Sequence, residues 1–251
     1  MDIATVARRL LAEDGYRDGV KMREAAQLVN ANLEDWYHHR LWCAKREALG
    51  DRADALTLTM TGDTYRNETL GRPTVLVAPM TLPMADALSV VNTLAEQREA
   101  IVFGHEVFAD DVPQPRIDVA DPRRGRVRQQ IESTLDRGGI YCTYADFAYR
   151  DVSTQQVCLF GRARAMSTGW LRLAARHGTM LLPAVCRRVT DTEVRVEYAE
   201  AIQIESPTTT PDLDAVAEIA IEMLEDLIRS APEQWLLLPT LAFESPEMAR
   251  T

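Results

Sequence analysis

The stretch PTVLVAPMTLPMADALSVVNTLAEQREAIVF, Pro73 to Phe103, decides the fold. Its first part, Pro73–Met80, is a short apolar, β-branched run bounded by prolines, the pattern of a buried strand. Met84–Gln97 then spaces its apolar residues at helical intervals, and Glu99–Phe103 is a second buried strand. Strand, helix and strand in this order predict a layered α/β domain with a largely parallel sheet.

Working outward, the alternation continues. Gly125–Gly139 reads as a helix closed by a glycine pair that supplies a left-handed C-terminal cap. Ile140–Phe147 makes a third strand and Gln156–Gly161 a fourth segment. Ser167–Gly178 is a helix capped by Ser167 or Thr168 and stopped by Gly178. Thr179–Arg188 and Glu193–Ile204 are further strands, and a long helix opens on Pro211. TVLVAP, AIVF and TMLLPAV are expected at the sheet centre, because they are apolar on both alternating faces. Upstream, Ala26, Val29, Leu33, Trp36 and Tyr37 recur at three- and four-residue intervals along one helix face. Gly50–Pro73 reads as a less regular connection. The expected organisation is an N-terminal helical region, residues 1–70, on an α/β core, residues 71–251, all one structural domain.

Composition narrows the function. The chain has 251 residues, 46% of them hydrophobic, and a formal charge of −10. That charge repels nucleic acid and anionic lipid surfaces. No run approaches the ~20 apolar residues of a membrane span, and the N-terminus is too charged for a secretory signal, so a soluble, cytoplasmic protein is expected. The one segment able to bring it to a lipid surface is an amphipathic helix around ATVARRLLAEDGY. Cys43, Cys142, Cys158 and Cys186 are widely spaced, which suggests neither a disulfide framework nor a zinc site. His38 and His39 are helix neighbours whose side chains diverge, so no metal pair is expected there.

Candidate chemistry gathers where strands end, since open α/β sheets bind ligands beyond the carboxyl ends of their strands. His105 and Asp110, five positions apart after the strand Glu99–Phe103, form the pattern H-x-x-x-x-D. An imidazole there could take a proton from an attacking hydroxyl or amine while the carboxylate fixes its tautomer. The competing reading is a histidine at a strand end followed by solvated acids, a coincidence easily met among 38 acidic residues. Asp146 and Arg150 follow the third strand, as a substrate clamp or a structural ion pair. Cys142 lies in an apolar strand, which raises a thiol's pKa and makes it inert.

The run from Leu135 to Arg188 resembles the central part of the bacterial lipid A lauroyl/myristoyl acyltransferase family, whose relatives include the actinobacterial phosphatidylinositol mannoside acyltransferases. The resemblance rests on a Gly-rich turn leading into a strand that ends near Asp146, then Leu159-Phe160-Gly161, then Leu182-Pro183. Ile228–Trp235, IRSAPEQW, is similar to the family's ending. In that family an H-x-x-x-x-E/D pair follows the first sheet strand, and here VAPMTLPMADAL stands in that place. Pro79, Met80 and Thr81 face the histidine position, and Met84, Ala85 and Asp86 the carboxylate. Thr81 and Asp86 keep the spacing, but a threonine hydroxyl is no useful proton acceptor near neutral pH. The family's membrane-anchoring segment and its basic, Trp-rich finish are replaced as well.

The resemblance implies a glycerolipid-acyltransferase-like fold and acyl transfer from a thioester, with no bound cofactor or metal. The donor is expected to be an acyl carrier protein or acyl-CoA, and the acceptor a small or carrier-bound molecule, in a specialised pathway. His105 and Asp110 are the catalytic candidates. Thr81, Asp86, Asp146, Arg150, Phe160 and Arg162 are the candidates for substrate binding. The rival expectation, motivated by the displaced histidine, is a catalytically silent relative that binds a ligand or a partner subunit, or a scaffold turned to another nucleophilic substitution.

Overall fold

The computed structural model describes residues 2–12, 18–48, 50, 56–61, 71–82, 84–96, 98–103, 118–120, 126–146, 154–204 and 212–242. Six helices appear among them: α1 (Ile3–Leu11), α2 (Gly19–Ala48), α3 (Met84–Ala95), α4 (Val127–Asp136), α5 (Gly169–His177) and α6 (Leu213–Arg229). The strands are β1 (Thr57–Thr61), β2 (Thr74–Ala78), β3 (Ala100–Phe103), β4 (Asp118–Ala120), β5 (Ile140–Tyr144), β6 (Thr154–Leu159), β7 (Arg162–Ser167), β8 (Met180–Arg188), β9 (Glu193–Tyr198) and β10 (Ile202–Gln203).

The main sheet runs β1-β9-β8-β2-β5-β3-β4, with β10 also on β8, and β6-β7 forms a separate hairpin. Strands β8, β2, β5, β3 and β4 are parallel neighbours, and β9 turns back antiparallel to β8. The protein is thus α/β with a mostly parallel central sheet. Every residue of β2 is buried, as are the first six of β8, which places the runs apolar on both faces at the centre. Pro183 ends the β8 register with β2, opposite Val77, so its missing N–H breaks no longer ladder.

Alternating side chains feed two cores. Leu76, Ala78, Val102, Cys142 and Leu182 pack with Leu88, Val91 and Leu94 of α3 on one face. Val75, Val77, Ile101, Tyr141 and Leu181 face the other helices. Helix α1 spends its apolar side there: Val6, Ala7, Leu10 and Leu11 are buried, leaving Arg8 and Arg9 outside. No helix among the described residues is long and apolar enough to cross a membrane.

Three readings of the chain are corrected. Thr57–Thr61, taken as part of an irregular connection, pairs in parallel with β9 and so carries the sheet into the N-terminal region. The run Glu193–Ile204 is interrupted: from Ala184↔Tyr198 to Leu181↔Ile202, β8 moves three residues and its partner four, the count of a β-bulge. After Leu159 the chain reverses at once, and arginine-rich Arg162–Ser167 is the second arm of a hairpin. Its two turn residues, Phe160 and Gly161, have φ of 52° and 70°, the backbone of a type I′ turn.

The helix ends follow local chemistry. Gly138 takes φ 75° after α4, and a Cβ on Gly139 would meet Thr134 Cγ2 at 2.5 Å and its carbonyl oxygen at 2.7 Å. Thr168 stands at the N-cap of α5 without a side-chain cap bond, and Gly178 closes that helix with φ 58°. Asp212 caps α6 by accepting from the backbone N–H groups of Asp214 and Ala215.

Candidate functional site

The chain leaves β2 through α3 toward β3 on one side of the sheet, and leaves β5 through the hairpin and α5 toward β8 on the other. Because β2 and β5 are adjacent, their carboxyl ends bound the crevice where connections diverge, the place an open α/β sheet offers a ligand. Pro79–Leu82 follow β2 there, and Ala145–Asp146 follow β5.

Asp146 ties these two exits together. Its two carboxylate oxygens accept from Met80 N at 3.1 and 2.9 Å, and Oδ2 also accepts from the Trp235 indole at 2.6 Å. The next residue, Leu236, donates its N–H to Met80 O at 2.9 Å. The PEQW ending therefore folds back to clamp the loop after β2. Burial pushes the Asp146 carboxyl above its ordinary pKa, while the Trp235 and Met80 donors pull the other way.

Asp86 is engaged as well. It lies in the first turn of α3, 2% exposed, and accepts from Arg40 Nε at 2.8 Å and Nη2 at 2.9 Å. Arg40, 1% exposed in the middle of α2, also donates Nη1 to the carbonyl of Asp191 in the β8–β9 turn at 2.8 Å. This fork pins α2 to α3 and to the sheet. Sequence reasoning missed it, although Arg40 continues the buried stripe Val29, Leu33, Trp36 and Cys43 at positions 29, 33, 36, 40 and 43. A cation on a buried helix face needs a partner, and that was the available signal.

Between α3 and the sheet runs a narrow apolar cleft of about 50 Å³. Leu76, Cys142 and Val102 form a row across three strands, since Cys142 pairs with both others. Ala78 and Tyr144 form the next row toward the crevice. Thr81 borders this cleft and is 2% exposed, and its hydroxyl has no hydrogen-bond partner among the described residues. Burial pushes the Cys142 thiol up to about 12, with Cys186 adding to the effect, and burial lifts Cys186 to about 12 too. Both thiols line the cleft as small, un-ionised groups.

Phe160 and Arg162 stand apart from this cleft. Phe160 is 3% exposed, with its ring 5.5 Å from that of Trp235 and the Arg229 guanidinium 5.2 Å from its centre; its N–H donates to Glu225. Arg162 donates to the carbonyl of Leu10 at 3.3 Å. His105, Asp110 and Arg150 lie outside the described residues. His177 ends α5 and bonds Asp136 at 2.9 Å, by the amino ends of β5 and β8. A larger groove of about 560 Å³ between β6 and α6 is lined by Asp214, Glu218, Glu222 and Glu225 against Arg229, which pairs with Glu225, a net acidic field that disfavours a phosphate-bearing donor. No cluster of three His, Cys, Asp or Glu side chains fit for a metal occurs among the described residues.

The mostly parallel sheet thus carries an apolar slot beside the loop that follows β2, at its switch-point crevice. Residues 120–241 match the model of the bacterial lipid A biosynthesis acyltransferase family. The match takes in Asp146, Phe160, Arg162, Leu182-Pro183 and the PEQW ending, whereas Thr81, Asp86, His105 and Asp110 precede it. No curated protein matches the chain.

Proposed function

We propose that the protein is a soluble, cytoplasmic acyltransferase that moves an acyl group from a thioester to the hydroxyl or amine of a small or carrier-bound acceptor in a specialised pathway. The observation that carries this reading is the apolar cleft at the β2–β5 crevice of a chain whose residues 120–241 match an acyltransferase family. The acyl chain enters the cleft, its carbonyl rests by Thr81, and the pantetheine arm of CoA or of a carrier protein leaves through the crevice. The acceptor oxygen or nitrogen attacks the carbonyl carbon, the C–S bond breaks, and the thiolate leaves and takes a proton. His105 serves as the base for the attacking group and Asp110 as its orienting carboxylate.

In this scheme Asp86 is not the partner of a catalytic imidazole. Arg40 occupies both of its oxygens, and the residue five positions earlier is Thr81. Asp146 acts as a positioning residue through Met80, and Phe160, Arg162 and Arg150 are assigned to the surrounding frame or acceptor side. The test is thioester cleavage with a panel of acyl-CoA and acyl-carrier donors. His105→Ala should lower turnover by about 10²–10⁴-fold, and undiminished turnover would remove His105 from the site.

A second reading is favoured by the Arg40–Asp86 pair itself. With Thr81 at the imidazole position and Asp86 held by an arginine, the chain would be a silent relative that binds an acylated ligand or a partner subunit. Stoichiometric binding of a thioester without cleavage, unchanged in His105→Ala, selects this reading.

A further inference from the structure

A buried hydroxyl without a partner is costly to a folded protein, and Thr81 carries one on the border of an apolar cleft. On its inner side the cleft is short: from the Ala78–Tyr144 row it reaches only to the Leu76–Cys142–Val102 row, while Cys186 of β8 lines it further out. Two residues of strand span only about 7 Å. Helix α3 closes the other side with Ala87, Val90, Val91 and Leu94.

We propose that this cleft takes a short acyl group, acetyl or propionyl, and that Thr81 Oγ1 donates a hydrogen bond to its thioester carbonyl oxygen. A cavity of about 150 Å³ accommodates a six-carbon ring. The about 50 Å³ found here therefore corresponds to about two carbon atoms on the same scale. A twelve-carbon chain would need several times that space and would have to displace Leu94, Val102 or Cys142. Interiors packed at crystal density resist such insertion. The apolar lining excludes a charged acyl end such as malonyl, whose second carboxylate would be buried without a cation. The Thr81 hydroxyl, closed off from water in the free protein, supplies a polar contact to the carbonyl once the acyl group is seated.

This assignment rests on the acyl-transfer reading, and the experiment separates the two. Acetyl-, propionyl-, butyryl-, octanoyl- and lauroyl-CoA are titrated into the protein by calorimetry, with free CoA as the reference for headgroup binding. The expected result is tighter binding of acetyl- and propionyl-CoA than of free CoA, with lauroyl-CoA about tenfold or more weaker than these. Thr81→Val keeps the shape and removes the donor, so acetyl-CoA binding should weaken about three- to tenfold. The ligand-free variant should melt no lower than the wild type, because it loses an unpaired buried hydroxyl.

Val102→Ala removes two carbons from the inner row and should move the preferred chain about two carbons longer. Leu94→Ala, on the helix side, is the second variant should Val102→Ala fail to fold. Tightest binding of lauroyl-CoA by the wild type overturns the short-chain assignment while leaving acyl transfer standing. Equal binding of acetyl-CoA by wild type and Thr81→Val overturns the role of Thr81. Thioesters of every length binding no better than free CoA overturn the acyl-transfer reading, and the short-chain assignment with it.

Discussion

Replacing Arg40 by methionine is the perturbation that most sharply probes how the site is held. The guanidinium is 1% exposed, its partner Asp86 is 2% exposed, and three hydrogen bonds of 2.8–2.9 Å leave it. Methionine fills much of the volume but leaves a carboxylate and the Asp191 carbonyl without donors. Breaking one side of a buried ion pair costs about 3–5 kcal/mol. For a chain of this size each kcal/mol lowers the melting midpoint by about 2–4 °C, so a fall of about 6–20 °C is expected. Replacing both partners, Arg40→Met with Asp86→Leu, removes the stranded charge and should recover most of the loss. Thermal unfolding followed by circular dichroism, with urea titrations for the energies, reads both effects. A single variant as stable as the wild type, or a double variant no better than the single, would show that the pair does not anchor α2 to α3.

Other outcomes follow from the same geometry. Near neutral pH a thiol reagent should label exposed Cys158 in the native protein, while buried Cys142, pushed up to about 12, should react only after unfolding, and half-buried Cys186, also pushed up to about 12, should react more slowly than Cys158; rapid labelling of Cys142 would contradict its burial. Burial raises the native pKa of Asp146, so its contribution to stability is full below the unfolded value of about 3.9 and is lost as pH rises through the native value. The stability gap between wild type and Asp146→Asn should accordingly narrow from acid to neutral pH in urea titrations, and a widening gap would refute the sign. Leu182→Asp places a carboxylate in a fully buried strand position and should yield no folded protein; a soluble variant with native circular dichroism would count against its place in the core.

The central strands were legible because β2, β3 and β8 are apolar on both faces, a pattern that only burial between layers explains. The elements missed lack that pattern for physical reasons. In β1, TLTMT alternates between exposed and half-buried positions at the sheet edge, and threonines at such an edge look like a loop. In β7, arginines that reach back to Leu10 and to Thr240 mask the alternation, and the Phe160-Gly161 turn lacks the usual asparagine or aspartate. Asp146 could be singled out by its place after a strand, but its partners could not. Met80 lies 66 residues before it and Trp235 lies 89 after it, and no local pattern encodes such a contact. The cleft was invisible for the same reason, since it is made by four strands and a helix meeting in space.

The most direct test of the central claim is a crystal structure with a non-hydrolysable propionyl-CoA analogue that keeps the carbonyl and replaces the thioester sulfur by methylene. The account predicts the acyl group between α3 and the Leu76–Cys142–Val102 row, its carbonyl oxygen within hydrogen-bonding distance of Thr81 Oγ1, and the pantetheine arm leaving over the β2–β5 crevice. An acyl group seated in the groove between β6 and α6, or a cleft still empty at saturating analogue, would contradict it.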